Sequence, residues 1–206
     1  MIRILGRNNS INVQKVMWCS AELQLEVKRE NIGGAFGGNE NNSYLSKNPN
    51  GTIPTLIQSD FILWESNSIV RYLCEYSEIS PWFPNSLVKR SHAHQWMDWY
   101  LTTLHPHMTT IFWQLIRTSE ADRDQRSIDK AVETAIKFWS ILDSHLERHD
   151  YILGEEISMG DIPIGCAAYR WFNLEIKRPH FKNLDRWWKT LSERPSYKTH
   201  VMLPLT

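Results

Sequence analysis

The segment at residues 80–85 divides the chain into two parts with different sequence patterns. It contains Pro81 and Pro84, and a proline stops a helix because it lacks the amide hydrogen and its ring clashes with the preceding turn. Short apolar runs alternate with helical repeats before this segment, whereas only helical spacing recurs after it. We therefore predict a first domain over residues 1–80 and a second, all-helical domain over residues 87–206.

The first part alternates strands with helices. We predict strands at residues 2–6, 25–32, 53–58 and 61–64. Ser59 and Asp60 separate the last two strands, which is typical of a hairpin. With the helical repeats the order is βαβαββα, which predicts an α/β fold with a parallel pair of strands and an added antiparallel strand. In the second part we predict helices at residues 93–117, 128–148, 161–172 and 183–193.

The composition argues against several classes of function. Basic and acidic residues number 23 each, so the net charge gives no reason to expect nucleic acid or an anionic membrane as a partner. No run approaches the ~20 apolar residues of a membrane span, and the apolar run at the N-terminus is too short for a signal peptide, so we expect a cytoplasmic protein. Three widely spaced cysteines fit reduced thiols better than a disulfide framework. The histidine pairs have no clear third ligand, so we expect no metal.

A turn, a proline and a strand-to-helix junction follow one another in the first part. An Asn-Gly pair at residues 50–51 is a turn signal, and Ile53-Pro54 stands at the start of a predicted strand, where a proline is tolerated. Glu65 and Ser66 lie where the hairpin passes into a helix. The serine hydroxyl and the free backbone amides of that helix start therefore predict a site for an anion.

This combination resembles the glutathione transferase family, and the resemblance extends over nearly the whole chain. It implies a thioredoxin-like first domain, a cis bond before Pro54, and pairing of the Ile53 backbone with the cysteinyl backbone of glutathione. It also implies that Glu65 and Ser66 hold the γ-glutamyl end. The glutathione-binding residues implied in this way are Asn39, Thr52, Ile53, Pro54, Glu65 and Ser66, with Lys47 as a rival to Asn39 for the glycine carboxylate.

Members of this family stabilise the glutathione thiolate at the start of the first helix. Several classes use a tyrosine near the end of the first strand, but this sequence has Gly6-Arg7 there. Ser10 occupies the matching position, and Asn12 is a second donor within one turn. The similarity to bacterial serine-type members therefore implies that Ser10 and Asn12 are the catalytic residues. Ser10 also fits a helix N-cap, and the two roles are compatible.

The second substrate of the family lies between the two domains. The residues that the resemblance places there are Phe36, Met108, Phe112, Trp113 and Arg117. Aromatic and methionine walls favour an apolar electrophile, although each of these side chains also fits an ordinary core position. Arg117 is a charged member of the set and is suited to an acidic substrate.

The resemblance implies an enzyme, a glutathione S-transferase that takes glutathione as co-substrate. It would ionise the glutathione thiol for attack on a small, largely apolar electrophile, as in detoxification, and it would work as a homodimer. The alternative is a regulatory or ligand-binding protein that binds glutathione on the same fold with little turnover, because a fold does not fix a function.

Overall fold

A computed structural model describes all residues from Met1 to Thr206. Its single sheet has four strands in the order β2-β1-β3-β4. The strands are β1 (Ile2–Leu5), β2 (Val27–Glu30), β3 (Thr55–Gln58) and β4 (Phe61–Trp64). β1 pairs with β2 in parallel and with β3 antiparallel, and β3 and β4 form the predicted hairpin. This arrangement confirms the α/β fold of the first part.

Three helices complete the first part. They are α1 (Ile11–Glu22), the single turn α2 (Asn42–Leu45) and α3 (Ser66–Ser77). The loop at residues 33–38 contains a 3-10 turn at Gly34–Phe36. Gly33, Gly34, Gly37 and Gly38 all have positive φ, which accounts for the glycine cluster because other residues rarely adopt that conformation.

The second part is entirely helical, as predicted. Its helices are α4 (Leu87–Trp99), α5 (His105–Phe112), α6 (Gln125–Leu146), α7 (Asp161–Asn173), α8 (Lys182–Glu193) and α9 (Pro195–His200). The predicted helix at residues 93–117 is interrupted twice, because wider π-helical turns at Tyr100–Leu104 and Trp113–Arg117 follow α4 and α5. The short helix α9 was not predicted. None of the helices combines the length and the apolar character that crossing a membrane requires.

One hydrophobic core of 41 buried residues runs through both parts of the chain. Trp18 of α1 contributes to it and lies against Gly165 of α7, where an added Cβ would approach the indole to 2.8 Å. The missing side chain at Gly165 therefore lets two helices from different parts of the chain pack closely. Because the core is continuous, the domain limits at residues 80 and 87 stay a prediction.

The start of α7 is fixed by the fully buried carboxylate of Asp161. One of its oxygens accepts hydrogen bonds from the amide and the hydroxyl of Ser158, at 2.9 and 3.2 Å. The other accepts from the amide of Ile152 at 3.0 Å and from Nε1 of Trp187 at 2.9 Å. Asp161 is thus paired with Ser158 at the start of α7, and its bond with Trp187 also connects α7 to α8.

Glu22, in the last turn of α1, connects that helix to the residues at the start of α9. Its carboxylate accepts two hydrogen bonds from the guanidinium of Arg194, at 2.7 and 2.6 Å. Ser196 donates to the same carboxylate. Beside this pair the ring of Tyr197 packs edge-on against Trp18, with ring centroids 4.8 Å apart. α1 is therefore joined to α9 by both charge and aromatic contacts.

Candidate glutathione site at the edge of the sheet

The strand register brings four chain segments to one edge of the sheet. Leu5, the last residue of β1, is paired with Glu30, the last residue of β2, and with Thr55, the first of β3. Thr55 is also paired with Trp64, the last residue of β4. Neighbouring strands are ~4.8 Å apart, so the segments that follow β1, β2 and β4 and precede β3 lie side by side. These segments carry Ser10, Asn39, Thr52, Ile53, Pro54, Glu65 and Ser66.

Ile53 offers an unpaired stretch of backbone at this edge. The bond between Ile53 and Pro54 is cis, as the resemblance implied. Neither the amide nor the carbonyl of Ile53 has a backbone partner. The carbonyl of the preceding residue, Thr52, accepts from the Tyr44 hydroxyl at 2.6 Å and from Nδ2 of Asn48 at 2.8 Å. The loop is therefore held firmly while the Ile53 backbone stays free to pair with an extended peptide.

The N-terminus of α3 presents free donors next to this backbone. Glu65 has a φ of 71°, which is uncommon for a residue with a side chain, and it precedes the helix. The first backbone bond of the helix runs from the Ile69 amide to the Glu65 carbonyl, so the amides before Ile69 have no intrahelical acceptor. Nδ2 of Asn67 donates to the carbonyl of Met97 and anchors the helix on the second part of the chain. This arrangement suits a carboxylate.

Ser10 is the N-cap residue of α1, yet its hydroxyl makes no capping hydrogen bond. Its carbonyl accepts from the Gln14 amide at 2.9 Å, which starts the helix. The Ser10 side chain is half-buried. The hydroxyl is therefore available to a ligand at the positive end of the helix dipole.

The side chain of Asn12 is bound by the buried ammonium of Lys15, a residue that was not predicted to belong to the site. Nζ of Lys15 lies 2.9 Å from Oδ1 of Asn12 and 3.4 Å from Oγ of Ser66, and the Lys15 side chain is fully buried. Oγ of Ser66 also donates to Oδ1 of Asn12, at 3.3 Å. Burial lowers the pKa of Lys15 to about 8. The nearest π system is Tyr100, whose ring centroid is 4.9 Å from Nζ.

The Lys15 contact fixes the orientation of the Asn12 amide. An ammonium can only donate, so it must face the amide oxygen, and Nδ2 of Asn12 then faces the other way. Nδ2 has no acceptor in the chain and is not among the sealed polar atoms, so it is open to solvent. One sequence signal did exist: Lys15 stands four residues after Ile11 and four before Cys19, on the buried face of α1.

The two residues considered for the glycine carboxylate already have partners. Nδ2 of Asn39 donates to the carbonyl of Gly51 at 2.8 Å and ties two loops of the site together. This leaves a single amide hydrogen for a ligand. Nζ of Lys47 donates to the carbonyl of Ser43 in its own helical turn. Asn39 thus lies at the predicted edge, while Lys47 folds back onto α2.

The five residues predicted for the electrophile divide into two groups. Met108 and Phe112 are buried in the core at 1% and 4% exposure, so packing is their first role. Phe36 and Trp113 are exposed at 58% and 59%, and Arg117 is exposed as well. Only the second group presents much free surface to a substrate.

Comparison with known proteins follows the same two-part division. Residues 2–75 match the family model "Glutathione S-transferase, N-terminal domain", and residues 104–195 match "Glutathione S-transferase, C-terminal domain". Glutathione S-transferase GstB of Escherichia coli is 39% identical over the full length of both chains. Glutathione S-transferase D7 of Drosophila melanogaster is 33% identical over 81% of this chain and 73% of its own.

Among solved structures, the theta class glutathione S-transferase of Xanthomonas axonopodis pv. citri with glutathione bound is similar over 100% of this chain and 99% of its own. The TM-score is 0.96 and the identity 39%. A thioredoxin-like sheet with an open backbone at its edge, joined to a helical bundle, defines the class of two-domain glutathione-dependent proteins. The chain belongs to the glutathione S-transferase family and is an enzyme of that family.

Proposed function

We propose that the protein binds glutathione at the sheet edge, ionises its thiol with Ser10 and Asn12, and transfers the thiolate to a small electrophile. The observation that carries this proposal is the convergence of three unpaired groups: the Ile53 backbone, the first amides of α3 and the Ser10 hydroxyl. Each matches a different part of one extended tripeptide. The glutathione-bound relative from Xanthomonas supports the same ligand.

Glutathione would lie across the edge as an added strand. Its cysteinyl backbone pairs with the Ile53 amide and carbonyl, where Pro54 and Thr52 shape the turn. The γ-glutamyl carboxylate is held by the Ser66 amide at the start of α3, and by the Ser66 hydroxyl once its proton turns from Asn12 to the ligand. The Glu65 carboxylate faces the γ-glutamyl ammonium. Asn39 supplies its remaining amide hydrogen to the glycine carboxylate.

Ser10 would stabilise the sulfur as an anion. A free thiol has a pKa of ~8.5, and a hydrogen bond to a charged group contributes about 1.5–3 kcal/mol. At about 1.36 kcal/mol per unit this lowers the thiol pKa by about 1–2 units, so much of the thiol is ionised near neutral pH. The thiol proton leaves to solvent. Nδ2 of Asn12, which the Lys15 contact turns outward, is the second donor.

The electrophile would meet the thiolate between the two parts of the chain. Phe36 and Trp113 offer exposed aromatic surface, Arg117 offers a charge, and Phe112 with Met108 forms the floor behind them. Sulfur forms a bond to the electrophilic carbon, and the leaving group departs with the bonding electron pair. Exposed aromatic side chains suit a small aromatic or short apolar substrate.

We further propose a homodimer that covers the exposed side of the hairpin. β4 is an edge strand, and Phe61, Ile62 and Trp64 are exposed on it. Tyr76 of α3 is exposed too, and Tyr72 stacks between Tyr76 and Phe61 to continue the apolar surface. Apolar residues on an edge strand promote association unless a partner covers them.

Calorimetric titration with two peptides tests the glutathione site. Glutathione should bind at least about tenfold more tightly than cysteinylglycine, because only glutathione carries the γ-glutamyl group that occupies the start of α3. A parallel assay follows conjugation to 1-chloro-2,4-dinitrobenzene. Tight glutathione binding without conjugation would favour the regulatory alternative, and equal affinity for the two peptides would refute the proposed binding mode.

A further inference from the structure

Two arginines approach the same aromatic ring beside the proposed electrophile site. Cζ of Arg170, on α7, lies 3.6 Å from the ring centroid of Phe112. Cζ of Arg117 lies 5.7 Å from the same centroid. Both guanidinium groups therefore lie close to the same ring, although they come from different helical segments. Ordinary core packing does not require two like charges at one ring.

Arg170 is buried without a partner. Its side chain has only 8% exposure, yet its guanidinium has neither a hydrogen-bond acceptor nor a carboxylate. Its nitrogens are nevertheless not sealed from solvent. Buried charges in proteins are ordinarily paired, because an uncompensated charge loses its hydration. Burial, with smaller contributions from the charges of Arg117 and Arg7, lowers the pKa of Arg170 to about 10.

Two other partly buried arginines of the chain differ from Arg170 because their guanidinium groups have hydrogen-bond acceptors. Arg178 donates to the carbonyls of Trp171, Phe172 and Leu174. Arg194 forms two hydrogen bonds with Glu22, as described above. The fold therefore pairs such arginines where they only stabilise structure. The donors of Arg170, by contrast, have no acceptor in the chain, and its guanidinium lies over the Phe112 ring.

Arg7 brings a third guanidinium to the same place. It follows β1, and it lies so close over Gly34 that a Cβ there would approach Nε to 2.6 Å. Nη1 donates to Oδ1 of Asn9 at 2.7 Å, but Nε is buried with no acceptor. Burial lowers the pKa of Arg7, and the neighbouring charge of Arg117 lowers it further. The segment that carries Ser10 thus places an arginine beside Arg117.

The groups around these arginines do not neutralise them. Tyr100 and Cys166 lie near Arg170, but burial raises the pKa of each well above its usual value, so both are uncharged at neutral pH. Lys15 adds a further positive charge behind them. No carboxylate pairs with Arg7, Arg117 or Arg170. The surroundings of Arg170 therefore have an excess of positive charge.

We propose that Arg7, Arg117 and Arg170, which lie around Phe112, bind the carboxylate of an anionic electrophile. The inference rests on the proposed function and sharpens its substrate class, from small apolar molecules to small organic acids. Guanidinium groups suit this ligand because their planar donors bind carboxylates in a bidentate manner. The charged ends of glutathione are accounted for at α3 and Asn39, so the arginines remain for the second substrate.

When the glutathione thiolate reacts with such a substrate, the carboxylate stays ionised and serves only to bind the arginines. For an aryl halide, the glutathione sulfur forms a carbon–sulfur bond and the halide leaves with the carbon–halogen electron pair. The proton of the thiol has already gone to solvent. The arginines therefore contribute by orienting the ring carbon toward the thiolate near Ser10.

A matched pair of substrates tests the proposal. 4-Chloro-3,5-dinitrobenzoate and 4-chloro-3,5-dinitrobenzamide have nearly the same shape and differ in charge. We expect kcat/KM to favour the benzoate after the enzymatic value for each substrate is divided by the rate of its uncatalysed reaction with glutathione.

Arg170→Met should reduce this preference by about tenfold or more, and Arg117→Gln, which removes an exposed charge, by about threefold. Arg126→Gln, on the exposed face of α6, is the control and should leave the preference unchanged.

A binding measurement makes the test independent of turnover. With S-methylglutathione present, calorimetry should show tighter binding of 3,5-dinitrobenzoate than of 3,5-dinitrobenzamide, and added salt should weaken only the benzoate. If the two bind equally, the anion site is refuted even when the amide substrate is turned over and the transferase proposal stands. If the benzoate binds tightly but neither substrate is conjugated, the anion site stands and the transferase proposal fails. Should Arg170→Met not fold by circular dichroism, Arg117→Gln decides the role of the arginines.

Discussion

The ammonium of Lys15 donates to Oδ1 of Asn12 over 2.9 Å from a position with no solvent exposure. A buried ammonium whose hydrogen-bond acceptors are two neutral oxygens destabilises the folded state. The pKa of Lys15, lowered to about 8 by burial, reflects this cost. The contact has a functional side as well, because it turns the donor end of Asn12 toward the proposed thiolate. Lys15 therefore destabilises the folded protein while it orients Asn12 for the proposed chemistry.

We predict that Lys15 makes the free energy of unfolding rise with pH in the alkaline range. The folded pKa of about 8 is below the model value of 10.5, so the unfolded chain binds more protons between these values. The full rise corresponds to about 3 kcal/mol. Urea unfolding of the wild type and of Lys15→Met at several pH values measures it. Lys15→Met should lack the rise, whereas Lys189→Met, on the exposed face of α8, should keep it. Parallel profiles for wild type and Lys15→Met would contradict this account.

Ser10 and Ser86 are matched N-cap serines with opposite expectations. The Ser10 hydroxyl makes no capping bond, whereas Oγ of Ser86 accepts from the Lys89 amide at 3.5 Å. Ser10→Ala should raise the pKa of the bound glutathione thiol by about 1–2 units and lower kcat with little loss of stability. Ser86→Ala should cost about 0.5–1 kcal/mol of stability and leave kcat unchanged. Thiolate absorbance against pH and thermal unfolding distinguish them, and a normal thiol pKa in Ser10→Ala would remove Ser10 from the mechanism.

Asp161→Ala should destabilise the protein severely. The change leaves three buried donor residues, Ser158, Ile152 and Trp187, without their acceptor, and each buried unpaired donor costs about 1–3 kcal/mol. We expect a total loss of at least about 3 kcal/mol in urea unfolding. Asp124→Ala removes a carboxylate that caps α6 at the surface, so it should cost only about 1 kcal/mol. Similar losses from the two changes would show that burial of the Asp161 network is not the source of the effect.

The dimer proposal predicts that a charge on β4 separates the subunits. Phe61 is 43% exposed on the edge strand, and Phe61→Glu would place a carboxylate inside the proposed interface. Sedimentation equilibrium should show a dimer for the wild type and a shift toward monomer for the variant. Ile141→Glu, at a comparably exposed apolar residue of α6, should leave the dimer intact. A wild-type monomer at micromolar concentration would refute the proposal.

The sequence predicted the parts of this protein that depend on local chemistry. The hairpin around Ser59 and Asp60 and most helix limits were correct because turns and apolar spacing act over a few residues. The cis bond before Pro54 was correct as well, but the family resemblance implied it rather than the local sequence. α9 was missed because its six residues are too few to show a helical period. The π-helical turns at Tyr100–Leu104 and Trp113–Arg117 were not predicted either.

The charged residues of the site could not be predicted in the same way. Lys15, Arg7 and Arg170 lie on α1, after β1 and on α7, and only tertiary packing brings them together. Arg7 and Arg170 look like ordinary surface residues in the sequence, whereas Lys15 stands on the buried face of α1. The lack of an ion-pair partner for the two arginines becomes visible only when the helices are placed.

The contacts of Glu22 also constrain the order in which the protein can be made. α1 is synthesised early, but Arg194, Ser196 and Tyr197 leave the ribosome only after the other helices. Until then the carboxylate of Glu22 has only Nε1 of Trp18 as a partner, and Trp18 lacks its contact with Tyr197. During translation the glutathione-binding half of the chain therefore lacks these contacts until residue 197 has been synthesised, and a chain that stalls earlier leaves part of the buried face of α1 uncovered.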